Sequence, residues 1–273
     1  MRAFGAQGWD VTLARTEGPG HGAELAAQAV RDAIPCIVAA GGDGTVHDVA
    51  NGMLQCGTRA ALGVVPLGTG NDFAKLAGLE GRGPVRAVAR LAAAWTRAFD
   101  VGRAGEEYFV NSMGIGFGPE VVRRRAAMPR VTGLWSYVVP LPRAFLGYRP
   151  LLCEIRSAEW QERGYMMMVE ICNGTTAGGA YRFAPGADPT DGYLDVCVVR
   201  RLSLLRFLRS IPRVMRGVHL GMPEVTMFRT RELVLQLPEA PMLLHVDGEL
   251  RAIAGRACGV RVEPGRLNVL VAA

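Results

Sequence analysis

Asp43, Asp72, Asp247 and Glu249 of this 273-residue chain each lie within two residues of a glycine: Asp43 in Gly41-Gly42-Asp43-Gly44-Thr45, Asp72 in Gly68-Thr69-Gly70-Asn71-Asp72, and Asp247 and Glu249 around Gly248. Glycine lets backbone N–H groups approach a ligand with no Cβ in the way. The start of a helix adds unpaired donors and the positive end of its dipole. Acidic side chains at such a place can hold a hard cation that also binds phosphate oxygens. The chemistry this combination allows is work on a polyphosphate. A Walker A loop is excluded, because no Gly-Lys-Ser/Thr triplet occurs and Lys75 is the only lysine. Each motif also has a purely architectural use: residues 41–44 as a tight strand-to-helix turn, Asp72 as a helix cap, and Asp247-Gly248 as a hairpin turn.

The flanking residues indicate what must position these groups. Val46, Val49, Ala50, Met53 and Leu54 recur at the spacing of one apolar helix face directly after the first glycines, and the apolar run 34–40 precedes them. The order strand, loop, helix repeats with the run 61–67, the loop 68–70 and a helix carrying Phe73, Leu76 and Ala77, with Asn71 and Asp72 placed to cap it. Together with a β-type run at 10–16 and an Ala-rich helical stretch near 22–33, this alternation predicts parallel strands joined by crossover helices. Both glycine loops would then leave the carboxyl ends of their strands, where open α/β sheets bind ligands, and could face one nucleotide. After about residue 100 the pattern changes to short β-type runs separated by turns, which predicts a second, mostly antiparallel domain.

Apolar residues make up 49% of the chain and charged residues 21%, a globular balance that excludes disorder as the main state. No apolar run approaches the roughly 20 residues that span a bilayer, and no basic segment leads into an apolar one at the start; a cytoplasmic protein is expected. The six cysteines (Cys36, Cys56, Cys153, Cys172, Cys197, Cys258) form no Cys-x-x-Cys pair, so reduced, buried thiols are expected rather than zinc or disulfides. The net charge of +6 rests on arginine, and such a surface attracts nucleic acid, anionic lipid or phosphorylated ligands alike. One stretch is sharper. Leu204, Leu208, Ile211, Met215 and Val218 form one stripe at helical spacing, and Arg206, Arg209, Arg213 and Arg216 form another, with Pro212 interrupting. This is a surface helix packed on its own domain, or one resting on an anionic membrane. Arg123, Arg124, Arg125 and Arg130 read as a solvated face, and residues 135–148 as core or as the lining of an acyl-chain cleft.

Taken together, AAGGDGTVHDVANGM and LGVVPLGTGNDFA resemble the catalytic domain of the diacylglycerol kinase and sphingosine kinase superfamily, especially its bacterial soluble lipid kinases. The likeness continues in order through FVNSMGIGFGPEVV, ICNGTTAGG and HVDGEL. GGDGT is shared with NAD kinases, whereas its joint occurrence with GTGNDFA and the late DGE is more specific. The resemblance implies a fold class of α/β plus all-β. A doubly wound nucleotide-binding domain (residues 1–98, with 264–273 returning to it) precedes a β-sandwich-like lipid-substrate domain (99–263), with the active site in a cleft between them. It implies an ATP- and Mg²⁺-dependent lipid kinase that transfers the γ-phosphoryl group to a lipid hydroxyl, diacylglycerol being the default acceptor.

By the same resemblance, Gly41, Gly42, Asp43, Gly44, Thr45, Val46 and His47 would form the ATP loop. Gly68, Thr69 and Asn71 would contribute from the second loop, with Thr16 also at the nucleotide. Asp43 and Asp72 would hold catalytic Mg²⁺, partly through water, and Glu249 or Asp247 would be the base, the other orienting metal or substrate. The Asp191 side chain, with the carbonyls of Asp188 and Tyr193, would bind a structural Mg²⁺ in a stretch that also reads as a plain turn. The implied partners are a lipid alcohol and, for a peripheral enzyme, the inner surface of an anionic membrane; a homodimer is allowed and no nucleic acid is expected. Two rivals stand beside this reading. One is an NAD kinase-like enzyme, on the strength of GGDG. The other is a catalytically silent nucleotide- or lipid-binding regulator, because the family's usual first strand and its Asn-Pro-x-Ser-Gly-like turn have no counterpart here. A start placed too late is the expected cause.

Overall fold

The computed structural model describes residues 2–5, 8–57, 59–79, 84–126 and 140–272. The chain divides into two compact units, one formed by Met1–Asp100 with Gly265–Ala273 and the other by Val101–Pro264.

The first unit carries α1 (Arg2–Gly5), α2 (His21–Arg31), β1 (Cys36–Gly41), α3 (Asp43–Cys56), β2 (Ala61–Pro66), α4 (Asp72–Leu76), α5 (Pro84–Ala92) and the start of β3 (Trp95–Ala104). β1 runs parallel to β2 with Cys36 opposite Ala61. The end of β13 (Ala257–Val271) lies on the other side of β2, also parallel, with Asn268 opposite Ala61. β2 is therefore central, and its run from Ala61 to Val65 is buried throughout, as expected of a strand covered on both faces. Helix α3 follows β1 after a single residue and turns Val46, Val49, Ala50, Met53 and Leu54 into the core, the face its periodicity predicts. It stops at Gly57, whose φ of 68° supplies the left-handed C-cap. The expected strand at 10–16 does not form. Those residues have neither helix nor strand and are mostly exposed, because β-type side chains make a strand only where another strand can pair with them.

In the second unit β4 (Glu107–Phe109), β5 (Ser112–Gly116), β6 (Leu151–Arg156), β7 (Gln161–Cys172), β8 (Leu194–Arg200), β9 (Val225–Thr230), β10 (Glu232–Gln236), β11 (Met242–Val246) and β12 (Glu249–Ile253) precede β13. Pairing is antiparallel in the order β10-β6-β7-β5-β11-β12, with β8 and β9 continuing from β7. The result is the expected β-sandwich-like architecture. One apolar cluster gathers Phe109, Ile155, Val169, Leu194, Leu235 and Leu244. A second lies where α6 (Phe117–Ala126), α7 (Pro140–Gly147) and α8 (Leu204–Arg216) cover the strands. There Phe145 stacks on Phe207 at 4.3 Å and Phe117 meets Phe207 edge-on at 5.4 Å.

The apolar stripe read along α8 is split by the structure. Phe207, Ser210, Ile211, Val214 and Met215 face inward, whereas Leu204, Leu208 and Val218 are exposed. Arg123 and Arg124 are tied to Glu120 on α6. Arg130 and residues 135–139 lie outside the described residues; in the remainder of that apolar run Leu141 and Ala144 are core.

Candidate active site

In the first unit the two glycine loops meet backbone to backbone. A Cβ placed on Gly68 would lie 2.4 Å from the Gly42 Cα, so only glycine permits this approach. Asp43, the first residue of α3, spans the contact: its Oδ2 accepts the Asn71 N–H at 2.8 Å and its Oδ1 the Asp72 N–H at 2.7 Å. The carboxylate of the first loop thus caps the helix of the second. Asn71 does not cap α4 as expected, because its φ of 53° turns its side chain back onto Gly68, which it holds by both N–H and C=O at 2.9 and 2.8 Å. Asp72 is 4% exposed and paired with Lys75 at 3.0 Å. Gly41 lies against the Thr45 side chain, while Leu67, Gly68 and Thr69 form an exposed tip.

Val46 and His47 do not reach that surface. The helix begins at Asp43, so both already point into the core and are 2% exposed, with Asn51 hydrogen-bonded to His47. Thr16 lies in an exposed irregular stretch ahead of α2, where the Gly20 N–H donates to Asp48 on α3. The donor chemistry suits Mg²⁺, an ion usually held by one or two carboxylates and completed by phosphate oxygens and water. Asp43 is half-buried, and its carboxylate is an acceptor-only group of the kind such an ion takes.

In the second unit Asp247 and Gly248 form a tight hairpin turn between β11 and β12, with φ values of 49° and 89°. The Asp247 carboxylate accepts three backbone amides, those of Val110 (3.0 Å), Asn111 (2.9 Å) and Ser112 (3.0 Å), and its own N–H donates to the Ser112 carbonyl. It fastens the hairpin to the segment between β4 and β5. Glu249, two residues on, is exposed, and its side chain makes no hydrogen bond or ion pair among the described residues. Asp247 and Glu249 are therefore not interchangeable: one is a structural acceptor and the other a carboxylate open to a substrate.

The loop expected to bind a structural metal is arranged around a guanidinium. Asp191 Oδ2 is ion-paired with Arg229 while its Oδ1 accepts the Tyr193 N–H at 3.0 Å. Arg229 and Arg231 both lie over the Tyr193 ring, at 4.8 and 5.0 Å. Asp188 is occupied with the N–H and hydroxyl of Thr190. One oxygen of the Asp191 carboxylate is thus engaged by Arg229, and no cluster of three or more His, Cys, Asp or Glu side chains suited to a metal occurs among the described residues.

A buried network escaped the sequence reading. Glu170 on β7 is 1% exposed; its Oε1 accepts the Ser112 hydroxyl at 2.8 Å and its Oε2 lies 3.1 Å from His245 Nε2. Burial opposes a charge on His245, but the carboxylate overrides it and, with Asp247 nearby, raises the imidazole above its ordinary value. Ser112 and His245 belong to the strands that hold Asp247, so the network braces that turn from behind. Asn111 adds a buried Oδ1 with no hydrogen-bond partner among the described residues. The only sequence signals were an acid inside an apolar run and the Asn-Ser pair.

Two family profiles match the chain: the diacylglycerol kinase catalytic domain over residues 2–104 and the YegS C-terminal NAD kinase beta sandwich-like domain over residues 111–271. A diacylglycerol kinase from Bacillus subtilis (strain 168) is 26% identical over 250 residues, covering 91% of this chain and 82% of that protein. A "Probable lipid kinase YegS-like" from Pseudomonas savastanoi pv. phaseolicola (strain 1448A / Race 6) is 30% identical over 266 residues, covering 96% of this chain and 84% of the relative. The crystal structure of a diacylglycerol kinase from Bacillus anthracis str. Sterne matches with a TM-score of 0.77 at 18% identity, covering 99% of this chain and 88% of that one, a likeness of fold.

Proposed function

Because the chain belongs to the family of diacylglycerol kinase catalytic domains and YegS-like lipid kinases, we propose that it transfers the γ-phosphoryl group of ATP to a lipid hydroxyl, with Mg²⁺. Diacylglycerol is the first acceptor to try. The observation that carries this reading is the Gly42–Gly68 contact bridged by Asp43, which presents two glycine-rich strand ends and a helix start on one small surface.

The amides at the start of α3 and the exposed tip at Gly68 and Thr69 would receive the phosphates. Asp43 would hold Mg²⁺, with Asp72 behind it. The bound ion would neutralise charge on the moving phosphoryl group. Glu249 is the base in this scheme: it takes the acceptor's hydroxyl proton as that oxygen bonds to the γ-phosphorus and the bond to the β-phosphate oxygen breaks, releasing ADP. Asp247 positions the turn and takes no proton. The test supplies γ-labelled ATP and Mg²⁺ with a panel of lipid alcohols in mixed micelles, and NAD in a parallel reaction. Label in phosphatidate or another phospholipid is expected. Label in NADP alone, or in neither, overturns the proposal.

A further inference from the structure

Helix α8 turns an unusual face outward. Leu204, Leu205 and Leu208 are 40, 57 and 42% exposed, although the helix has Phe207 and Ser210 to bury and does so. On its exposed surface Arg209, Arg213 and Arg216 follow at one-turn spacing, and none of its thirteen residues is acidic. Arg206 is ion-paired with Glu224, whereas Arg209 and Arg213 have no ion-pair partner among the described residues. At the start of the helix a cavity of about 480 Å³ is lined by Phe145, Tyr148, Arg149, Met167, Arg201 and Leu202, apolar and aromatic groups with two arginines among them. Single exposed leucines are ordinary; three together beside a row of arginines with no carboxylate are not the pattern of a solvated face.

We propose that this face of α8 docks the protein on an anionic phospholipid bilayer, the leucines entering the headgroup region and the arginines meeting lipid phosphates. The charge pattern selects this occupant. A second copy of the chain docked face to face would set the same arginines against each other. A nucleic acid would satisfy the arginines and leave the leucines in water. The inference deepens the lipid-kinase reading, on which its biological sense rests, by saying which surface meets the membrane that holds the acceptor.

Binding of the full chain is measured by co-sedimentation, without nucleotide, on vesicles of phosphatidylcholine alone and of phosphatidylcholine mixed with phosphatidylglycerol. Binding to the anionic vesicles only, weakening with added salt, is expected. Arg209→Gln with Arg213→Gln, and separately Leu204→Ser with Leu205→Ser, should each weaken it about tenfold or more, with unchanged Tm because all four side chains are exposed. Equal binding to neutral vesicles, no binding, or undiminished binding by both variants overturns the proposal. Tighter binding to RNA than to vesicles, or a dimer abolished by the leucine variant, assigns the face to another partner and overturns it as well. Both variants should still phosphorylate a short-chain diacylglycerol dispersed as monomer. Intact vesicle binding with no turnover by the wild type on any acceptor would sink the kinase reading and leave the docking face standing.

Discussion

Three carboxylates that look alike in the sequence differ in what their oxygens already hold. Glu249 is exposed, so Glu249→Gln should lower turnover by about 10²- to 10⁴-fold, the usual worth of a general base, while leaving the melting temperature unchanged. Asp247→Ala should do the reverse in part: three amides lose a charged acceptor, and a loss of about 3–5 kcal/mol in urea unfolding is expected. Asp43→Asn should show both effects, abolishing phosphorylation and costing about 1.5–3 kcal/mol, because the same side chain caps α4. His245 gives a pH dependence. Its pKa is raised in the folded state by Glu170, against the opposing effect of burial, so the pair stabilises the fold while the imidazole is protonated. That contribution is complete below about pH 6.5, the ordinary histidine value, and is lost as pH rises through the higher native value. The Tm difference between wild type and His245→Gln should therefore shrink on going from acid to alkaline buffer, and a difference that grows with pH would contradict the assignment.

At the scale of elements, the two loops depend on a backbone approach that tolerates no side chain. Gly68→Ala should force them apart, costing about 1–3 kcal/mol of stability and raising the KM for ATP, measured by thermal melting and initial rates. The loop around Asp191 should respond differently: with Arg229 supplying the positive charge, the nucleotide-free Tm is expected to be the same in Mg²⁺ and in EDTA. A Mg²⁺-dependent rise that Asp191→Asn removes would show a metal there after all. These elements also mark what could be read in advance. The face of α3 was legible because periodicity is local. The run at 10–16 misled because a strand is a property of two segments. Asp43 as the cap of α4 was illegible because cap and helix start stand 28 and 29 residues apart, and a cap is ordinarily sought next to its own helix. The division of labour between Asp247 and Glu249 was hidden for the same reason, since the amides that occupy Asp247 come from 135 to 137 residues away.

Over the whole molecule, the change from alternating helix and strand to short β runs disclosed the two kinds of architecture, while charge alone left the partner open. The arginines are unevenly distributed: some are consumed in pairs with Glu120, Glu162, Asp191 or Glu224, while Arg209, Arg213 and Arg216 on α8 face outward beside leucines. The basic balance has another side. Since every other basic side chain in the chain is an arginine or a histidine, Lys75 is its sole primary amine on a side chain, and it is partly accessible while paired with Asp72. An acylating reagent would therefore write a covalent mark at one internal position, within one helical turn of the junction of the two loops. The rate of that reaction, followed by mass spectrometry with and without ATP, becomes a gauge of nucleotide occupancy that needs no engineered tag.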